Sequence, residues 1–357
     1  MLLNPTKYLG NLLLAGGLIQ DFAAHCRQGN RQLLLILDGA FQDLCTSAFP
    51  DITVLYYPRQ EIRRASLWRK LQLFLGFVGQ LRQFRADLAF NIEEDSLSSR
   101  LTQLSGASFR LGCSPERQGL GYEHVLPIAY NGRPAGNEHR WHSYQDVFTA
   151  LGLPTNHSRR YIYLYIDQCS SALMQKLREL GRAAGLPLVT IHPAATKDYK
   201  QWPESAFTEL CNLLINNGFQ PALIGAGQAD LLRCERIMLS LGTGNALADT
   251  PVLNLCNRLS LAELAGAFRL CTGIVGNDSG PSHLASAQQL PGIVIFGPSD
   301  PAIWGPLDSR SRVLRKADLC DPRCSRRSCF SDYRCLRAIT PAEVLTALTA
   351  QINTGAR

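Results

Sequence analysis

Two glycines bracket three small polar side chains in Gly276-Asn277-Asp278-Ser279-Gly280-Pro281, and a strand-like apolar run, Gly273-Ile274-Val275, leads into them. A helix-like run from Ser282 to Gln288 follows and carries His283. Glycine between a strand and a helix lets backbone N–H groups approach an anion, and the helix N-terminus adds partial positive charge. This geometry suits a phosphate-bearing ligand, with Gly280 giving close backbone approach and Ser279 a hydroxyl donor. The same residue types also build ordinary βα turns. Taken alone, His283 reads as a packed, hydrogen-bonded histidine.

The surrounding elements say how such a turn would be positioned. In the second half, candidate strands are Leu188–His192, Pro221–Gly225, Gly273–Val275 and Gly292–Phe296, with helices near 204–217, 228–241, 260–269 and 282–288. Strand–helix alternation argues a doubly wound parallel sheet, whose ligands sit beyond the carboxyl ends of the strands. His192 to Lys200, Gly225-Ala226-Gly227, Gly276 to Gly280 and Gly297 to Asp300 all fall at those ends. Gly225 and Gly227 would line a nucleotide pocket, and Asp300 reads as a turn residue. The first half alternates too, with strands at Leu33–Leu37, Ile52–Tyr56 and Leu88–Ile92 and helices at about 11–26, 62–84 and 96–105. Residues 132–137 read as a loop and 151–158 as the approach to a linker. This divides the chain into domains at 1–165 and 166–338, with a terminal helix in 339–357 that could pack back on the first domain.

The chain has 357 residues, 46% hydrophobic and 18% charged, which fits a globular protein with two cores. No apolar run reaches the length that spans a bilayer. Leu9 to Ile19 follows Lys7 and has some leader character, but Asn11 interrupts it and no Ala-x-Ala site follows, so it reads as a loop entering an amphipathic helix of a cytoplasmic protein. The net charge of +7 favours anionic partners, and no nucleic-acid motif accompanies it. Arg59, Arg63, Arg64, Arg69, Lys70, Arg82 and Arg85 are opposed only by Glu61 and interleave with Trp68, Leu71, Phe74, Leu75 and Phe77. That pattern fits either an anionic membrane surface or a helix with one solvated basic face and one buried apolar face.

Of 12 cysteines, eight are scattered, often within apolar stretches, and read as reduced, buried small hydrophobes. Cys320, Cys324, Cys329 and Cys335 instead share one Arg-rich segment. Four thiolates so close offer a tetrahedral zinc or iron site, or remain reduced or mutually paired. The spacing lacks the tight C-x2-C pairs of well-defined zinc sites.

Three ordered segments resemble glycosyltransferase family 9, the ADP-heptose:lipopolysaccharide heptosyltransferases: His192-Pro193-Ala194-Ala195-Thr196-Lys197-Asp198-Tyr199-Lys200-Gln201-Trp202-Pro203, Asn277 through Ala285, and Phe296-Gly297-Pro298-Ser299-Asp300-Pro301 with Trp304-Gly305-Pro306 after it. The likeness is strong over about 185–345 and weaker over 1–150. It implies the GT-B architecture, two Rossmann-like domains facing across a cleft, the first binding the acceptor and the second the nucleotide sugar. It also implies an ADP-heptose donor, a lipopolysaccharide inner-core acceptor, contact with the inner membrane, and transfer without a metal. Lys200 matches the family's phosphate-binding lysine, Thr196 a hydroxyl donor to the same group, and Asp278 a residue on the nucleotide-sugar side. Some members that modify proteins bind iron at a comparable cysteine cluster, so a protein heptosyltransferase is an alternative reading.

One position departs from the family. The aspartate taken as general base falls at Asn11, in Tyr8-Leu9-Gly10-Asn11-Leu12, and the strand before it is almost missing. An amide cannot accept a proton at neutral pH. Glu93, Glu94 and Asp95, at a strand end, are the nearest replacement carboxylates unless they form only a solvated acidic turn. Otherwise Asn11 positions the acceptor, or the chain binds nucleotide sugar without transferring it.

Overall fold

The computed structural model describes residues 2–3, 6–93, 95–113, 121–126, 138–154, 159–164, 171–241, 252–321, 323–324 and 329–355. The chain forms two compact units, Met1–Tyr165 and Ile166–Arg357. Among the described residues, no helix is long and apolar enough to cross a membrane.

The first unit carries β1 (Leu2–Leu3), α1 (Leu9–Gln28), β2 (Leu34–Asp38), α2 (Gln42–Ala48), β3 (Thr53–Tyr57), α3 (Arg59–Arg64), α4 (Leu67–Gln83), β4 (Leu88–Asn91), α5 (Ser96–Leu104), β5 (Phe109–Gly112), β6 (His124–Val125) and α6 (Arg140–Ala150). The sheet order is β3-β2-β1-β4-β5-β6, all parallel. The first strand is therefore present and central: Leu2 pairs with Leu35 on one side and Phe90 on the other. It is too short to register as a periodic pattern, and its neighbours position it. The apolar run after Lys7 is the body of α1, where Leu12, Leu13, Leu14, Ala15 and Ile19 are fully buried. A Cβ on Gly16 would sit 2.6 Å from the Ile162 Cβ, so glycine there permits close packing. The expected helix over 62–84 breaks in two, because Ala65 and Ser66 are both extended. Strands β5 and β6 and helices α2 and α6 carry weak periodicity and were not anticipated.

The second unit carries α7 (Ser171–Glu179), β7 (Leu188–His192), α8 (Glu204–Asn216), β8 (Gln220–Leu223), α9 (Gln228–Leu241), β9 (Leu253–Asn254), α10 (Leu261–Phe268), β10 (Gly273–Asn277), α11 (Gly280–Ala287), β11 (Gly292–Ile295), α12 (Pro301–Trp304), β12 (Ser311–Leu314), α13 (Arg334–Arg337) and α14 (Pro341–Gly355). Its order, β12-β11-β10-β7-β8-β9, repeats the first sheet's connectivity. Strands β7 and β11 are buried along their whole length, as expected for a parallel sheet covered on both faces. The terminal helix α14 belongs to this unit's core: Val344, Ala347 and Leu348 pack with residues of α8 and of the sheet. Its apolar face is thus spent on this unit. Trp202, fully buried, ties in the same region by donating from its indole N–H to the Ile339 carbonyl at 3.0 Å.

Both sheets share a feature that positions a site. The order in which strands are added reverses between β1 and β4 in one unit and between β7 and β10 in the other. Loops leaving such a pair run to opposite faces and open a crevice at the strand ends.

Candidate functional site

Asn277, the last residue of β10, builds the crevice in the second unit. Its buried amide accepts from the Trp202 N–H at 3.0 Å and donates to the carbonyls of Pro193 at 3.0 Å and Ala194 at 3.3 Å. The loop after β7 is thereby fastened to the loop after β10. A short 3-10 turn, Asp198–Lys200, then brings the Lys200 ammonium to the Asp278 carboxylate at 2.5 Å. Ser279 is the N-cap of α11, Gly280 its first residue, and Pro281 follows, where a missing N–H costs nothing. Lysine, carboxylate and the positive end of a helix dipole therefore meet at one point. Close packing explains two glycines: a Cβ on Gly276 would lie 2.8 Å from the Ser282 Oγ, and one on Gly297 would lie 2.5 Å from the Tyr199 carbonyl.

His192, at the strand end read from the sequence, and Asp230, which no sequence pattern indicated, orient this turn. The Ser279 Oγ hydrogen-bonds with the His192 Nδ1 at 2.9 Å and lies 3.1 Å from the Asn277 carbonyl. On the other ring edge, Nε2 lies 3.8 Å from the Asp230 carboxylate. Burial opposes ionisation of Asp230, but hydrogen bonds from His192 and the Ala226 N–H outweigh it and hold the carboxyl below its usual range. Arg233 donates to the Trp202 carbonyl at 2.8 Å and to Gln201, and stiffens the same loop. Strand-end position pointed to Asn277 and His192; nothing in the local pattern pointed to Asp230 or Arg233 on α9.

The remaining expected donor residues fall nearby or on the same loops. Thr196 is exposed on the β7 loop. Gly225 packs so tightly that a Cβ would lie 2.8 Å from that of Asp230, while Gly227 has φ +92° and donates its N–H to Asn257 at 2.7 Å. Asn257 also lines a cavity of about 270 Å³ with Leu231, Glu235, Asn254, Cys256 and Arg258. His283 is buried, and burial pushes its imidazole down to about 4, with Lys200 adding to the shift and Asp278 opposing it. It is neutral at physiological pH. Asp300 is the N-cap of α12, accepting from the Ala302 N–H at 3.0 Å, a turn residue as expected.

The first unit's crevice holds different groups. Glu93, two residues past β4, is buried, and the side chains of Asn11 and Thr6 hydrogen-bond to its carboxyl. Burial pushes Glu93 up to about 7; Arg140 and these hydrogen bonds oppose the shift, and Asp95 adds to it. The reading of this stretch as a solvated acidic turn is therefore corrected at Glu93, because β4 delivers it inward beside the first turn of α1. Asp95 does something else: it caps α5, accepting from the Ser98 N–H at 2.7 Å. Glu94 lies outside the described residues. Arg140 on α6 and Thr6 were missed, since neither belongs to a recognisable pattern.

Among the described residues, no three His, Cys, Asp or Glu side chains converge to hold a metal ion. The four clustered cysteines come partway: Cys324 and Cys329 have sulfurs 4.0 Å apart, near the ~3.8 Å edge of a tetrahedral thiolate site. Backbone N–H groups of Phe330 and Tyr333 donate to these sulfurs at 3.2 and 3.1 Å. The first of these bonds is the main reason the Cys324 thiol is held down at about 7, whereas burial pushes Cys320 up to about 11.

Two doubly wound parallel sheets, one with an anion-suited turn at its switch point, are the architecture of GT-B glycosyltransferases. The family description "Glycosyltransferase family 9 (heptosyltransferase)" matches residues 75–334, well over half of the chain, and the protein belongs to that family. Lipopolysaccharide heptosyltransferase 3 of Escherichia coli K12 is 24% identical over 311 residues, 84% of this chain and 83% of that protein. Lipooligosaccharide heptosyltransferase 2 of Campylobacter jejuni is 26% identical over 163 residues, 45% of this chain, and the match spans about half of that relative's length, 50%. Among solved structures, the E. coli ADP-heptose lipopolysaccharide heptosyltransferase II has the same fold, with a TM-score of 0.76 at 21% identity over 100% of this chain and 99% of that one.

Proposed function

We propose that this chain is a glycosyltransferase that moves a heptose from ADP-heptose to a lipopolysaccharide inner-core acceptor. In this reading it works in the cytoplasm, in peripheral contact with the inner membrane. The observation that carries it is the meeting of Lys200, Asp278 and the α11 N-terminus at the second switch point, in a chain of this family. In transfer, the bond from the sugar C1 to the diphosphate breaks, a bond from C1 to the acceptor oxygen forms, and the acceptor's hydroxyl proton leaves. Lys200 and the helix dipole offset the charge gathering on the departing ADP, work that a metal would otherwise do. Thr196, Ser279 and the Gly280 N–H serve the same phosphates, and Gly225 and Gly227 flank the nucleoside.

Glu93 takes the proton. Asn11 cannot, but it hydrogen-bonds to Glu93, so a carboxylate stands beside the family's base position instead of in it. A carboxyl near 7 is half ionised at neutral pH, where a general base is most useful. The Cys320, Cys324, Cys329 and Cys335 set is proposed to take a structural zinc or iron ion, apart from the transfer step. Metal analysis of purified protein should then find one ion per chain, lost in a Cys324→Ser, Cys329→Ser variant. ADP-heptose turnover on heptose-deficient lipopolysaccharide, read by mass spectrometry, tests the whole reading. A gain of one heptose is expected; intact ADP-heptose binding with no gain on any core acceptor would overturn it in favour of a binding protein.

A further inference from the structure

Helix α4 carries one broad apolar face, and the core covers only its second half. Phe77, Val78 and Leu81 are buried against β2 and β4 residues such as Ile36 and Ala89, and Phe74 packs against the same cluster. Leu67, Trp68, Leu71 and Leu75 are not: they are 83, 79, 48 and 56% exposed. At 3.6 residues per turn these four fall within about 100° of the helix circumference. They form one stripe over the first half of the helix, unlike the single exposed apolar side chains common on protein surfaces. On a neighbouring strip, a Cβ added to Gly76 or Gly79 would meet nothing within 4 Å among the described residues.

The charges around the stripe select its occupant. Arg63 and Arg64 end the preceding helix, α3, Lys70 borders the stripe, and Arg69 is exposed nearby. None of these four has an ion-pair partner among the described residues. The first turn of α4 also has no acidic residue to complement its dipole. An apolar stripe bearing tryptophan, set among unpaired cations, matches the boundary between anionic headgroups and acyl chains. We propose that α3 and α4 form a membrane-docking element, with Leu67, Trp68, Leu71 and Leu75 entering an anionic leaflet and Arg63, Arg64 and Lys70 meeting lipid phosphates. This inference rests on the reading of the acceptor as membrane-anchored, and it names the part of the chain that reaches that surface.

The full chain should co-sediment with vesicles of phosphatidylethanolamine and phosphatidylglycerol, and its tryptophan emission should shift to the blue. Binding to phosphatidylcholine vesicles should be roughly tenfold weaker or more. A Trp68→Ser, Leu71→Ser variant should bind anionic vesicles roughly tenfold more weakly. Because both side chains are exposed, its unfolding midpoint and its transfer to a delipidated, water-soluble core oligosaccharide should be unchanged. Equal binding to both vesicle types, or undiminished binding by the variant, would overturn the proposal. So would a concentration-dependent dimer that the variant abolishes, since a second copy would then cover the stripe. Failure of vesicle binding with transfer to soluble acceptor intact would sink docking alone. The reverse result would sink the transferase reading alone.

Discussion

The switch point between β7 and β10 gathers a lysine, a helix N-terminus and three backbone-fastening hydrogen bonds from Asn277. The one between β1 and β4, built on the same strand order, gathers a buried carboxyl with Asn11, Thr6 and Arg140 around it. One end sets a lysine beside a helix N-terminus, an arrangement that would suit negative charge arriving with a ligand. The other raises the proton affinity of a carboxyl the protein already owns. Identical topology thus supplies two crevices, and the side chains at the strand ends decide whether a crevice stabilises an anion or accepts a proton. Position within the fold says where chemistry can happen and not which chemistry.

Several substitutions would break or sharpen this contrast. Glu93→Gln keeps the shape and removes the base, so kcat should fall roughly a thousandfold while ADP affinity stays within a factor of two; an unchanged kcat would remove Glu93 from the reaction. Lys200→Ala should instead weaken both ADP-heptose binding and turnover, the latter by on the order of a hundredfold. If calorimetry finds donor affinity intact, Lys200 serves only its ion pair with Asp278. Returning an acid to the family position tests the pair directly: Asn11→Asp should preserve activity in the wild-type background and restore at least part of it to Glu93→Gln. No rescue would mean that the two sites are not interchangeable.

The buried carboxyl also has a signature independent of turnover. Burial raises Glu93 from 4.5 to about 7, so the folded state binds its proton more tightly than the unfolded chain does. Its contribution is fully present below pH 4.5 and is lost as pH rises through about 7. Denaturant titrations should therefore show stability falling over that window, and Glu93→Gln should flatten the fall. The smallest effect is expected at Asp95. Removing this cap with Asp95→Ala should cost about 1 kcal/mol of stability and leave kcat alone, which would separate two acids only two residues apart.

Legibility followed pattern strength. Strand β7 and helices α8 and α9 matched the sequence reading within a residue or so, because each is a clear apolar run ended by glycine, proline or a polar turn. Elements such as β1, β6 and β9, with two residues each, left no periodicity to read. The basic segment near residue 65 was legible as amphipathic but not as two helices, and nothing in its spacing foretold that Phe77 would be buried and Trp68 exposed. Sequence pattern reports which residues are apolar; which face meets the core depends on what packs against it.

By itself the sequence determined the alternation that makes two parallel sheets, the glycine turn that can meet a phosphate, and the absence of an acid at position 11. These are local facts of residue type and order. The tertiary structure decided that Lys200 meets Asp278, 78 positions away, that His192 and Asp230 stand behind Ser279, and that Glu93 lies against Asn11 rather than in water. Burial and long-range pairing set proton affinity and charge, and both arise only when β1 comes to lie beside β4 and β7 beside β10.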